Sequence, residues 1–139
     1  MIADLNTMPR MFWECNRRYF DHQLRVPQFD VTHSYRVLGR FEYRIGERHL
    51  PLKKRHIVIL MSDCFDFDED TFRNIMVHEM IHYYLYVHDT GTTFFRRILR
   101  SLPFCHPSHG TAFKAMAQRL NEQYGLHVTV TGHVSSIRN

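Results

Sequence analysis

The sequence predicts a small α+β domain, and three observations carry that expectation. Apolar residues recur at helical spacing near the beginning, in the middle and towards the end of the chain. Short runs with strand-like alternation or continuous apolar character lie between the first two helices. Helices and strands are segregated along the chain instead of alternating one by one, which favours a small mixed sheet with helices packed around it. At 139 residues the chain can bury one core and is short for two, so one domain is expected over residues 1–139, with 135–139 as a frayed tail.

In chain order, the first element is a helix over residues 6–21. Strands are expected over 28–35, 36–45, 56–61 and, at the end, 127–131. His56-Ile57-Val58-Ile59-Leu60-Met61 is the most apolar of them, and two roles suit it: a buried central strand, or an edge strand that pairs with an extended peptide. The long central helix is announced by acid, because Asp66, Asp68, Glu69 and Asp70 complement the positive end of the helix dipole. Asp66 or Asp68 can accept the orphan N–H bonds of its first turn. Phe72, Ile75, Met76, Met80, Tyr83 and Val87 continue at helical spacing for about twenty residues, until Gly91 closes the element. Phe94, Phe95, Ile98, Leu99 and Leu102, interleaved with Arg96, Arg97 and Arg100, read as a further amphipathic helix within 92–108, either covering the core or acting as a lid over the cleft. The last helix starts near Pro107-Ser108, carries Phe113, Met116, Ala117, Leu120 and Tyr124 as its apolar stripe, and ends at Gly125.

The central helix carries the chemistry, in His78-Glu79-Met80-Ile81-His82. Residues four apart on a helix lie about 40° from one another around the axis, so both imidazoles can reach one Zn²⁺. Glu79 points roughly 100° away from His78, which suits a general base holding the attacking water better than a metal ligand. Histidine is abundant here, at 11 residues in the chain, so the pentad gains its weight from the buried helix around it.

Catalytic zinc needs three protein ligands and one open position. His88 has the spacing of a pattern in which a glycine breaks the helix, but Leu85 stands at that glycine position. On a continuous helix His88 points about 280° round from His78 and lies roughly 9 Å past His82 along the axis, out of reach. Glu122 sits near the far end of the last helix. His109, in His106-Pro107-Ser108-His109-Gly110, stands at the mouth of that helix and can lean onto the central one, with His106 as its rival.

These residues resemble a known family. His78-Glu79-x-x-His82 followed by His109-Gly110-x-x-Phe113 is similar to the SprT-like zinc metallopeptidase domain of the Spartan/SprT family. Phe12-Trp13 and Cys15-Asn16-Arg17-Arg18-Tyr19-Phe20 with Gln23-Leu24 resemble the family's first helix and turn. Leu120-Asn121 and Leu126-His127-Val128-Thr129-Val130 resemble its closing helix and strand, so the likeness spans most of residues 10–131. The resemblance implies a zincin-like metallopeptidase fold, zinc on His78, His82 and His109, and Glu79 as catalytic base. It also implies peptide hydrolysis, with proteins associated with DNA as substrates. Two departures stand out. Cys15, Cys64 and Cys105 form no CxxC pair, so no second zinc site like the zinc ribbon of longer relatives is expected among these residues, and the link over 92–108 looks longer than in Spartan. Tyr83, Tyr84, Tyr86, Tyr124 and His106 are the candidates for steadying the oxyanion, and spacing does not choose among them.

The net charge of +4 invites a nucleic-acid partner. Within 36–45, period two places Arg36, Arg40 and Arg44 opposite Val37, Phe41, Tyr43 and Ile45, and Arg48, Lys53, Lys54 and Arg55 follow in the loop. Such a ridge can hold the phosphates of single-stranded or other DNA, or it can simply be a solvated face. No run of eighteen apolar residues predicts a membrane span, the first residues lack signal-peptide order, and scattered cysteines suit a reducing compartment. The expectations are therefore a cytoplasmic, monomeric protein without a membrane partner. Two other classes fit the same motif: a zinc hydrolase acting on another bond, and a non-catalytic module in which zinc clips two helices together.

Overall fold

A computed structural model describes residues 1–45, 55–88 and 110–130. Among these residues the element order is α1 (Thr7–Tyr19), β1 (Gln28–Thr32), β2 (Gly39–Ile45), β3 (Arg55–Ser62), α2 (Glu69–His88) and α3 (Thr111–Tyr124). The result is a small mixed α+β domain, as expected. Residues 92–108, read as an amphipathic helix, and Thr131 lie outside the described part.

The three strands form a sheet in the order β1-β3-β2, with β1 parallel and β2 antiparallel to β3. That settles the role of the apolar run at 56–61. It is the central strand, paired on both sides, with Val58, Ile59, Leu60 and Met61 all buried. Its backbone is used up by its neighbours, so pairing with a peptide is excluded for β3.

Strand ends differ from the sequence expectation for side-chain reasons. β1 stops at Thr32 instead of 35, because Ser34 Oγ accepts the N–H groups of Arg36 and Val37 and bends the chain there. β2 accordingly starts at Gly39 instead of 36, which removes Arg36 from the strand face. α1 is shorter than 6–21. After Phe20 the chain turns through Asp21 and His22 at positive φ, and the buried Asn16 side chain ties that turn to the backbone of Leu24. The expected final strand, 127–131, does not form over 127–130, where the Asn121 side chain takes up the backbone of Val128.

α2 is the spine. Asp68, not Asp66, caps it: Asp68 Oδ1 accepts the Thr71 N–H at 2.7 Å, while Asp66 binds the amino group of Met1 at 2.6 Å. From Ile75 to Tyr83 every residue is buried, so this stretch is enclosed all round, beyond the single stripe the apolar spacing predicts. Arg73 joins its first turns to α1 through Glu14 at 3.5 Å. Phe41 of β2 and Phe113 of α3 close over its polar centre. No helix among the described residues is long and apolar enough to cross a membrane.

Candidate metal centre

Burying histidine and glutamate in an apolar helix costs free energy unless partners repay it. His78, Glu79 and His82 are 4%, 3% and 8% exposed, so each must be satisfied inside the protein. One ligand atom from each lies within 4.8 Å of the other two, a grouping that could hold a metal ion. The imidazoles are one turn apart, with ring centroids at 5.1 Å and planes crossing at 70°. Glu79 is nearer than a helical wheel suggests, its Oε2 standing 4.0 Å from His78 Nε2.

Backbone chemistry orients the first ring. The Thr129 carbonyl lies 2.6 Å from His78 Nδ1, and a carbonyl only accepts, so Nδ1 carries the proton and the lone pair is left on Nε2, the atom facing Glu79. A ligand imidazole held by a carbonyl at its other nitrogen is the usual arrangement at metal sites. Aromatic walls hold the second ring: Phe41 stacks on His82 at 6.4 Å and Phe113 packs at 4.6 Å. Phe113 also meets His78 edge-on at 4.8 Å. Desolvation pushes the Glu79 carboxyl up to about 8, opposed in part by the positive charge of Arg40. Two imidazole nitrogens and a buried carboxyl group are donors suited to a borderline divalent cation such as zinc.

Gly39 has a direct part in this geometry. A Cβ built there would lie 2.8 Å from Glu79 Oε2, 3.0 Å from Ile75 Cγ2 and 3.2 Å from Glu79 Cγ. Only glycine lets the start of β2 pass so close to the carboxylate. A glycine within a strand is itself a sign of close approach, and it is the signal that would have singled out this position.

The other candidate residues separate clearly. His88 ends the unbroken helix, exposed and packed at a tilt on Tyr84 at 4.0 Å, outside the cluster. Glu122 is exposed on α3 and accepts from Gln118. His106 and His109 lie outside the described residues, although Gly110, next to His109, is the N-cap residue of α3. Tyr83 donates to the Arg25 carbonyl at 2.8 Å, Tyr84 packs on Phe20, Tyr86 on Tyr43, and Tyr124 on Tyr19. Of the basic residues, Arg40 is exposed and pairs with Glu42 at 3.3 Å, while Arg36 sits in the bend before β2. Arg44 and Arg55 are placed by strand register alone, and Arg48, Lys53 and Lys54 lie outside the described residues.

A family model described as the SprT-like family matches residues 8–132, nearly the whole chain. The chain belongs to the SprT-like family. No curated protein and no solved structure matches it. The match takes in α1, the sheet, α2 and α3, so the metal cluster sits inside the SprT-like region and the domain is metallopeptidase-like.

Proposed function

We propose that this chain is a zinc-dependent endopeptidase of zincin type acting on DNA-associated proteins. The observation that carries the reading is the buried His78-Glu79-His82 cluster, with the His78 Nε2 lone pair directed to the side where the Glu79 carboxylate stands at 4.0 Å. His78, His82 and His109 would hold the metal. Support for His109 comes from α3: Phe113, four residues further on, touches both imidazoles, so the start of that helix lies at the cluster. When bound, zinc supplies Lewis acidity to the attacking water and to the scissile carbonyl.

Glu79 takes the proton from that water and passes it to the leaving amine. Its burial disfavours the charged carboxylate, which makes it a stronger base than a solvated one. β2 is the strand to align substrate. It pairs with β3 on one side, and its first residue, Gly39, lies against Glu79. An extended peptide added along its other edge would bring a backbone carbonyl towards the cluster. Arg40, exposed on the face of β2 turned away from α2, with Arg44 on the same face by register, would bind phosphates of nearby DNA.

The test is elemental analysis of wild type, Glu79→Gln and His109→Ala purified in parallel, followed by cleavage of casein and histone with and without single-stranded DNA. The reading requires about one zinc per chain in wild type and Glu79→Gln, loss of zinc in His109→Ala, and cleavage by wild type alone, stimulated by DNA. Zinc retained in all three without cleavage would mark a structural site and overturn it.

A further inference from the structure

We propose that Asn121 is a positioning residue for the metal centre: its side-chain amide clamps the chain after α3 so that the Thr129 carbonyl holds the His78 ring. The inference deepens the zinc reading and rests on it. Residues 126–129 alternate, with Leu126 and Val128 buried and His127 and Thr129 exposed. Asn121 pairs with the middle of this segment as a strand would. Its Nδ2 donates to the Val128 carbonyl at 3.1 Å and its Oδ1 accepts the Val128 N–H at 2.8 Å, the two-way exchange a ladder partner would make. Asn74 of α2 adds a second stitch, its Oδ1 accepting the His127 N–H at 3.1 Å.

Three hydrogen bonds thus secure two consecutive residues, and the next group along the chain is the carbonyl that receives His78 Nδ1–H at 2.6 Å. Asn74 lies one helical turn before His78 on α2, so the segment is referenced to the same helix whose ring it orients. Release of Val128 would let the Thr129 carbonyl drift. His78 could then carry its proton on Nε2, where it blocks the metal, or turn its ring. Outer partners of this kind are worth about ten- to hundredfold in metal affinity.

A matched control exists on α1. Asn16 makes the same two-way bond to Leu24, at 2.8 and 3.2 Å, in the turn after α1. The experiment compares wild type, Asn121→Ala and Asn16→Ala as folded full chains. It measures thermal unfolding, zinc affinity by chelator competition, and the His78 tautomer by ¹⁵N NMR of the metal-free protein. Both variants should lose stability. Only Asn121→Ala should bind zinc about ten- to hundredfold more weakly and gain the Nε2–H tautomer. A zinc affinity within about twofold of wild type, with His78 still protonated on Nδ1, would reduce Asn121 to a structural residue and overturn the proposal. If Asn121→Ala does not fold, Asn121→Asp, which keeps the acceptor for Val128 and loses the donor, is held to the same two outcomes. Failure of the zinc reading shows separately, as absence of zinc binding by wild type, and the tautomer then decides the clamp by itself.

Discussion

Gly39→Ala should disable the centre without removing its metal. The added Cβ would stand 2.8 Å from Glu79 Oε2 and 3.0 Å from Ile75 Cγ2, well inside the separation of about 3.5 Å at which non-bonded contacts become favourable. Something must move by roughly 0.5 Å or more. Glu79 is 3% exposed, so its carboxylate cannot swing into solvent, and β2 is held by its ladder to β3. Overpacking of this kind costs about 1–3 kcal/mol of stability. Displacement of a catalytic group by an ångström costs about a hundredfold in rate, so kcat for peptide cleavage should fall about ten- to hundredfold while zinc content stays at the wild-type level. A double-mutant cycle measured by urea unfolding isolates the contact. In a Glu79→Ala background two of the three close atoms are gone, so the stability penalty of Gly39→Ala should shrink by about 1 kcal/mol or more. An equal penalty in both backgrounds, or wild-type kcat in Gly39→Ala, would refute the reasoning.

The pH dependence of the metal-stripped protein follows from Glu79, whose carboxyl is pushed up to about 8 by burial. A raised native pKa means that the folded state keeps a proton the unfolded chain has lost. This contribution to stability is therefore fully present below 4.5, the ordinary glutamate value, and declines by up to about 1.4 kcal/mol per pH unit as pH rises towards 8. Urea titrations across that range should show the slope in wild type and lose it in Glu79→Gln. Phe113→Ala removes a side chain 1% exposed that touches both imidazoles, and should cost about 3–5 kcal/mol in chemical unfolding and weaken zinc binding in the same protein. Tyr83→Phe deletes the bond to the Arg25 carbonyl and should cost about 0.5–1.5 kcal/mol with cleavage unchanged, whereas loss of cleavage would place the hydroxyl in the reaction.

What was legible in the sequence is what local chemistry decides. α2 could be placed because acid and apolar spacing lie within its own twenty residues and the cap, Asp68, stands directly before Glu69. Two of the zinc-binding candidates, His78 and His82, were visible because helix geometry brings residues four apart together without help from the rest of the fold. The strand ends were misplaced because Ser34, a side chain in the connection, competes with the ladder for the backbone of Arg36 and Val37. A strand was expected over 127–131, and 127–130 do not form one. That expectation failed because a side-chain amide took up the Val128 backbone.

The supports of the centre were hidden for a related reason. His78 and His82 come from one helix, but Phe41 and Gly39 reach them from β2, Phe113 from α3 and the Thr129 carbonyl from the chain beyond it. A carbonyl leaves no trace in the residue type, and a phenylalanine in an apolar stripe looks like core. Even so, the enclosure of α2 is informative about function. A stretch buried from Ile75 to Tyr83 can accept polar residues only if their cost is repaid, and hydrophobic residues of similar volume would make a more stable spine. Three adjacent polar side chains kept there, with a glycine cleared beside the carboxylate and a carbonyl assigned to one imidazole, are a local sacrifice of stability. That sacrifice is what the proposed metal centre would require and a packing helix would not.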